Sequence, residues 1–201
     1  KGVEVQFAAR VAGVYKVAVA SAECGTPLAG SPFAVQLEPG PVEPSSCRVR
    51  LMGSSAAIVA GAEAGVVVER RDRYGNMARE APETACVGRA SSAHGTVDLL
   101  PVDGHAGMLA APLTVAGRYT LQVFIKTALH TPISTGMGDL VVDVIPGPVW
   151  PRATLFENVP KQLTAGTVHD VTVVPRDRHG NMGATEAVVR VDLQEAGADR
   201  P

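Results

Sequence analysis

The fold is decided by the stretch Tyr119-Thr120-Leu121-Gln122-Val123-Phe124-Ile125, in which every second side chain is a large apolar one. Residues 33–37 and 140–144 show the same alternation. A period of two is that of a β-strand with one face buried and the other in solvent. No apolar stripe with helical spacing continues for more than about two turns of a helix. The sequence therefore predicts an all-β protein.

Short alternating runs, separated by Gly, Pro, Asn and Asp, fill the part of the chain between residues 47 and 145. We place strands at 47–52, 63–71, 84–90, 95–100, 105–111, 118–125 and 139–145. About seven short strands in roughly 100 residues are typical of an immunoglobulin-like β-sandwich. The only tryptophan, Trp150, lies outside these strands, so the sandwich lacks the cysteine and tryptophan core of antibody domains.

Four short motifs occur twice, in the same order and at offsets of 104 to 107 residues. AGVY at 12–15 recurs as AGRY at 116–119, PGPV at 39–42 recurs at 146–149, Ala60-Gly61 recurs as Ala165-Gly166, and DRYGNM at 72–77 recurs as DRHGNM at 177–182. An offset of this size is the length of one small domain. We therefore predict half of one domain in residues 1–40, a complete domain in 41–146 and the N-terminal part of a third in 147–201.

The same motifs carry a resemblance to a known family. Residues 12–19 (AGVYKVAV), followed by 30–37 (GSPFAVQL), Pro39-Gly40 and 44–47 (PSSC), resemble the join between two filamin-type repeats. The Gly-Ser-Pro-Phe segment before an alternating strand is the most specific element, and the resemblance covers essentially the whole chain. It implies tandem filamin-type immunoglobulin-like β-sandwiches of about seven strands, without catalytic chemistry.

The resemblance also implies how such repeats bind other proteins, which is by adding an extended peptide to an exposed edge strand. In this sequence the edge would be the predicted strand 84–90, with 95–100 beside it. The candidate contact residues are Val87, Gly88, Ala90, Gly95 and Val97. The small ones among them would let a backbone approach closely. The alternative is that they are loosely packed residues of the sandwich.

Two proline-rich segments, 39–44 and 146–151, are the predicted linkers between domains. Proline fixes φ and removes a hydrogen-bond donor, so these segments are expected to act as semi-rigid spacers between neighbouring repeats. Trp150 either packs between two domains or anchors a partner. The predicted junction residues are Pro41, Pro44, Pro148, Trp150 and Pro151.

The sequence contains no pattern typical of a catalytic, metal or cofactor site. Residues 72–76 and 177–181 supply one Asp each, whereas Ca²⁺ requires several carboxylates together. The pattern favours a turn in which Asp accepts backbone N–H groups while Gly and Asn tolerate positive φ. The five histidines follow no metal-ligand spacing, and neither a Gly-x-Ser-x-Gly elbow nor a glycine-rich phosphate loop is present. We expect no enzyme and no cofactor.

Cysteine and asparagine usage bears on the cellular compartment. Cys24, Cys47 and Cys86 lack the spacing of a disulfide framework or a zinc site, and we interpret all three as small apolar residues. None of the three asparagines begins an N-glycan acceptor motif. Both observations favour a reducing, intracellular setting.

Charge and hydropathy exclude two classes of partner. The chain has 18 basic and 20 acidic residues, a net charge of −2, and no basic stripe that would bind nucleic acid. It also has no run of about 18 apolar residues, which a membrane-spanning helix would need.

Two functions from different classes follow from the resemblance. The first is a structural scaffold or protein-interaction module of a cytoskeletal protein, actin-linked or ciliary and axonemal, located in the cytoplasm, cytoskeleton or cilium. Its partners would be extended peptide segments, cytoskeletal components and neighbouring repeats of the same chain. The alternative is a cell-surface adhesion ectodomain, for example one that acts in gamete or cell recognition.

Overall fold

The fold is all-β. A computed structural model describes residues 4–53, 57–79, 85–125, 131–133, 140–183 and 190. The elements are β1 (Gly13–Val17), β2 (Phe33–Leu37), a 3-10 helix η1 (Pro44–Ser46), β3 (Arg48–Leu51), β4 (Ala57–Val59), β5 (Glu63–Glu69), β6 (Cys86–Ser92), β7 (Gly95–Pro101), β8 (Met108–Pro112), β9 (Gly117–Ile125), β10 (Thr131–Pro132), β11 (Leu140–Ile145), β12 (Leu155–Glu157) and β13 (Thr172–Val174). Among these described residues, no helix is long and apolar enough to cross a bilayer.

Strands β3 to β11 form an immunoglobulin-like β-sandwich, here called the central sandwich. One layer has the order β3-β5-β8, and the other has the order β6-β9-β11-β4, with β10 paired to β9. All of these pairs are antiparallel except β4 with β11. Strand β7 pairs with β6 through Gly95–Leu99 and with β8 through Leu100 and Pro101. It therefore joins the two layers along one side.

The core lies between the two layers, where the alternation of the sequence predicts it. In β9 the side chains of Tyr119, Leu121, Val123 and Ile125 are all buried. They belong to one apolar cluster with residues of the opposite layer, which include Val49, Val66, Val68, Leu109 and Ala111. Burying a side chain of this size stabilises the fold by about 1.5 to 3 kcal/mol relative to leaving it exposed.

The predicted strands agree with the observed ones, with one displaced start and two omissions. β8 begins at Met108 rather than at residue 105, because Gly104 and Gly107 have φ values of 74° and 77° and form a turn there. The other ends lie within two residues of the prediction. The short strands β4 and β10 were not predicted. Residues 84 and 139, at which two strands were predicted to begin, lie outside the described residues.

The sheet formed by β1 and β2 repeats the register of β9 and β11. Tyr15 lies opposite Val35, and Tyr119 lies opposite Val142 at the corresponding positions. Each tyrosine hydroxyl donates to the carbonyl oxygen four residues earlier, at 2.6 Å for Tyr15 and 3.1 Å for Tyr119. Such a tyrosine corner is a feature of immunoglobulin-like domains. The two strand pairs are therefore the same structural element at two places in the chain.

The sheet formed by β12 and β13 repeats the register of β3 and β5 in the same way. Phe156 lies opposite Val173, as Val49 lies opposite Val68. Val49 is buried in the central sandwich, whereas Phe156 is exposed. A two-stranded sheet offers too little surface to bury its own apolar side chains.

We predict that two adjacent leucines of β7 respond oppositely to the same substitution. Leu99 is 2% exposed and Leu100 is 65% exposed. Leu99→Ala leaves a cavity in the core and should lower the free energy of unfolding by about 2 to 5 kcal/mol. Leu100→Ala should change it by about 0.5 kcal/mol or less. Urea denaturation of the two variants and the wild type measures both values, and equal losses would contradict the placement of β7.

Candidate functional site

A groove of about 450 Å³ opens where β7 leaves β6 to join β8. Its floor and walls are mainly apolar, and its outer rim carries an exposed ion pair between Arg89 Nε and Asp98 Oδ1 at 3.3 Å. The lining residues are Val87, Gly88, Arg89, Asp98, Leu99, Leu100, Pro101 and Phe124. The groove can accept an apolar side chain of a partner beside the start of β6.

The predicted peptide-binding edge is not an open strand edge along most of its length. Strand β6 pairs with β9 on one side and, from Gly88 to Ser92, with β7 on the other. A connection of only two residues, Ala93 and His94, brings β6 and β7 into this hairpin. The expectation of an exposed edge over 84–90 is therefore wrong from Gly88 onward, because β7 occupies that edge.

The small residues at this edge serve the core rather than an approaching backbone. Ala90 is fully buried, and a Cβ on Gly88 would lie 2.9 Å from Leu99 Cδ1. Gly95 and Val97 lie in the hairpin, away from the groove lining. Of the five predicted contact residues, only Val87 and Gly88 line the groove. The structure brings them together with Leu100 and Phe124, which the sequence did not single out.

A second site lies where the turn 177–182 meets the central sandwich. The carboxylate of Asp177 is fully buried and accepts four hydrogen bonds. Its Oδ1 accepts from the backbone N–H groups of His179 (2.8 Å) and Asn181 (2.9 Å). Its Oδ2 accepts from Gly147 N–H (2.9 Å), which belongs to the linker, and from Asn181 Nδ2 (2.8 Å). Asp177 thus ties the turn to the linker that precedes it.

Asn181 continues this network into the central sandwich. Its Oδ1 accepts from the Ala116 N–H at 2.8 Å, and its Nδ2 donates to the Thr114 oxygen at 2.8 Å. Both bonds reach the loop between β8 and β9. With the bond to Asp177, every donor and acceptor type of the Asn181 amide has a partner.

The turn 72–77 makes the same set of bonds. Asp72 accepts from Tyr74 N–H (2.8 Å), Asn76 N–H (2.9 Å), Asn76 Nδ2 (2.8 Å) and Gly40 N–H (2.9 Å). Asn76 in turn accepts from Ala12 N–H at 2.9 Å and donates to the Arg10 oxygen at 2.7 Å. We call residues 10–12, 40 and 72–77 the first junction, and residues 114–116, 147 and 177–182 the second junction.

The two junction aspartates are acids of unusual strength. Burial raises the pKa of each carboxyl group, but the hydrogen bonds donated to the ionised form lower it further. The pKa of Asp72 and that of Asp177 are lowered to about 2. Because N–H donors occupy the oxygens of both carboxylates, the geometry agrees with the predicted turn better than with a calcium site. Within the described residues, no group of three or more His, Cys, Asp or Glu side chains could hold a metal ion.

The predicted linker residues lie around these junctions. Pro44 opens the 3-10 helix, and Pro148 and Trp150 line a cavity of about 480 Å³ at the second junction. Trp150 is 49% exposed, and its backbone N–H donates to the backbone oxygen of Arg176 at 2.6 Å. Pro41 and Pro151 are exposed.

Sequence reasoning missed the role of the junction asparagines. Gly75 and Gly180 have the positive φ expected of the turn, but Asn76 and Asn181 do not, and they use their amide groups to reach a neighbouring loop instead. A signal was present, since the Ala-Gly motif at 12–13 and 116–117 recurs together with the Asn-containing motif. Recurrence does not by itself show that two motifs touch.

Two of the three cysteines are buried as expected, and Cys24 is not. Cys47 and Cys86 are buried, as expected of small apolar residues, and all three cysteines are free thiols. Cys24 is exposed, and hydrogen bonds with the Ser21 and Thr26 side chains lower its pKa to about 7. The hydroxyl groups of Ser21 and Thr26 stabilise this thiolate.

Solved structures show what the fold is similar to. The Escherichia coli adhesin FdeC is similar with a TM-score of 0.50 and 15% identity, over 78% of this chain and 48% of that one. InvD of Yersinia pseudotuberculosis gives a TM-score of 0.48 and 18% identity, over 86% and 52%. The Lin-41 filamin domain gives 0.38 and 22%, over 53% and 98%. The chain has an immunoglobulin-like fold.

These comparisons leave the family open. The chain spans about half the length of the FdeC and InvD chains it matches. No protein-family model matches the sequence, and no curated protein matches it significantly. The groove and the junctions are therefore the features of this chain that bear on its function.

We predict that Asp72 stabilises the protein in a pH-dependent way. Its folded pKa of about 2 lies below the ordinary value of about 3.9, so its contribution is complete above about pH 4 and is lost as the pH falls towards 2. Asp72→Asn should therefore lower the urea midpoint at pH 5 and have a smaller effect near pH 2. Asp143→Asn, on an exposed side chain of β11, is the matched control and should have little effect at either pH. An Asp72→Asn loss that is equal at both pH values would contradict this assignment.

Proposed function

We propose that this chain is a segment of tandem filamin-type immunoglobulin-like units that acts as a non-catalytic scaffold and protein-interaction module of a cytoskeletal protein, either actin-linked or ciliary. The observation that carries the proposal is the repeated strand register, in which β1 and β2 pair as β9 and β11 do. A chain of sandwiches joined by short linkers is an elongated arm, which suits a spacer between binding sites.

The proposed units are 1–40, 41–146 and 147–201. The exposure of apolar side chains in the two-stranded sheets supports this division. Val35 of β2 is half-buried, whereas Val142, at the corresponding position of β11, is 3% exposed. The inward-facing position of β2 thus carries an apolar side chain, as the equivalent position of β11 does. In β2 this side chain is less completely covered than in the central sandwich.

The proposed interaction site is the groove beside the start of β6. An extended segment of a partner protein lies along Val87 and places an apolar side chain between Leu100 and Phe124. Leu100 is largely exposed in the free protein and would be covered by such a segment. Arg89 and Asp98 at the rim provide polar contacts that fix the direction of the bound segment. The partner is a protein segment with alternating side chains, as in other strand-addition complexes.

A cell-surface adhesion ectodomain is the second candidate. The observation that favours it is that FdeC, which shares the fold, is an adhesin. The absence of N-glycan acceptor motifs in the sequence favours the cytoskeletal candidate.

The experiment that separates the two candidates is mass spectrometry of the parent protein from its native source, after fractionation into membrane, cytosol and detergent-resistant cytoskeleton. Recovery of the parent in the cytoskeletal or axonemal fraction, without glycans, is the result we expect. A glycosylated parent in the membrane fraction would replace the scaffold with the adhesion candidate.

We predict that Val87→Asp abolishes capture of extended peptides. A carboxylate at this position puts a charge into the apolar groove, and an apolar partner side chain cannot compensate its desolvation. Selection of a displayed library of random peptides on the full chain supplies the probe, and affinity of the selected peptides for each variant is the readout. Ile145→Asp, on an exposed side chain at the end of β11, is the matched control and should leave the affinity unchanged. Unchanged binding by Val87→Asp would remove this groove from consideration.

A further inference from the structure

We propose that the Asp-x-x-Gly-Asn turn of each unit is a joint that docks on the preceding unit of the same chain and fixes the orientation between the two. This inference rests on the proposed division into tandem units. The docking surface is the loop 10–12 in the first junction and the loop 114–116 in the second.

The amide of the turn asparagine is the part that crosses from one unit to the other. At the second junction it accepts from Ala116 N–H and donates to the Thr114 oxygen, both at 2.8 Å. The two bonds have opposite donor-to-acceptor senses and join the same amide group to one short stretch of backbone. A shift or rotation of either unit would break both, so the pair defines an orientation as well as a contact.

The aspartate of the turn couples this contact to the linker. Asp177 accepts from Gly147 N–H and also from Asn181 Nδ2, so one buried carboxylate holds the linker and the docking side chain together. Proline fixes its own φ and disfavours the helical region for the residue before it, so Gly147, which lies between two prolines, is restricted less than they are. The bond to Asp177 removes the freedom that this glycine would otherwise have.

Gly61 of the central sandwich provides a third contact at the second junction. A Cβ on Gly61 would overlap the His179 ring and would lie 3.0 Å from Arg178 Nη2. Gly61 also has a φ of 89°, a conformation that favours glycine. The turn of the third unit therefore sits directly on the backbone of the turn between β4 and β5.

The same bonds are made twice in one chain, which argues against an accidental contact. In the first junction Asn76 accepts from Ala12 N–H at 2.9 Å and donates to the Arg10 oxygen at 2.7 Å. Asp72 holds Gly40 as Asp177 holds Gly147. Three of the four motifs that recur in the sequence supply residues to these contacts at both junctions, and Gly61 of the fourth contacts the turn at the second junction.

The test is amide hydrogen exchange of the full chain by NMR, with each junction serving as the control for the other. In Asn181→Ala, the Ala116 amide loses its acceptor and should exchange about 2- to 10-fold faster, while Ala12 keeps the wild-type rate. In Asn76→Ala, the Ala12 amide should exchange faster, while the Ala116 amide keeps the wild-type rate. Equal Ala116 rates in the wild type and in Asn181→Ala would overturn the joint.

The Gly147 amide reports whether the turn remains folded in Asn181→Ala, because it donates to Asp177. If Gly147 also loses its protection, the outcome is decided by Asn76→Ala, with Gly40 as the folding reporter.

Residual dipolar couplings of the wild type test the fixed orientation without any substitution. Couplings from β5 and β9 of the central unit and from β12 and β13 of the third unit should fit one alignment tensor. Two different tensors would show that the units move independently and would overturn the proposal. Failure of this test leaves the peptide-capture result untouched, and loss of peptide capture leaves the joint untouched, so the two proposals fail separately.

Discussion

A buried carboxylate that accepts four hydrogen bonds is the interaction on which the arrangement of this chain depends. Asp72 and Asp177 each accept hydrogen bonds from two backbone N–H groups of their own turn, one backbone N–H of the linker and one side-chain amide. A buried carboxylate without such donors would be strongly destabilising. The turn, the linker and the asparagine are therefore held in place together, because removal of any one of them leaves the charge incompletely solvated.

The central sandwich and the junctions are stabilised by different interactions. The sandwich is stabilised by one apolar cluster built from alternating side chains, and its register is set by which face is buried. The junctions are held by hydrogen bonds between the backbone and short polar side chains. The groove beside β6 belongs to the central sandwich alone, since it opens where β7 leaves one layer to pair with the other.

Alternation of apolar side chains was sufficient to predict the fold class and most strands, because burial of one face leaves a period of two in the sequence. It could not predict β4, which has three residues and pairs in parallel with a strand more than 80 residues away. It also could not show that β7 would cover β6 from Gly88 onward. A glycine in the sequence is compatible both with a core leucine packed against it and with the close approach of a partner backbone, and here the leucine is Leu99. The repeated motifs located the junctions, but the contacts of Asn76 and Asn181 depend on three-dimensional proximity that spacing does not encode.

Every part of the joint recurs at an offset of 104 to 107 residues. In the proposed division into units, the loop that receives the asparagine lies in the C-terminal half of one unit, and the turn that carries the asparagine lies in the N-terminal half of the next. An in-frame gene duplication of one such length would therefore create a new unit together with both halves of its joint. The chain can lengthen by this route without any new complementary surface having to evolve, and every added unit would inherit the same angle to its neighbour.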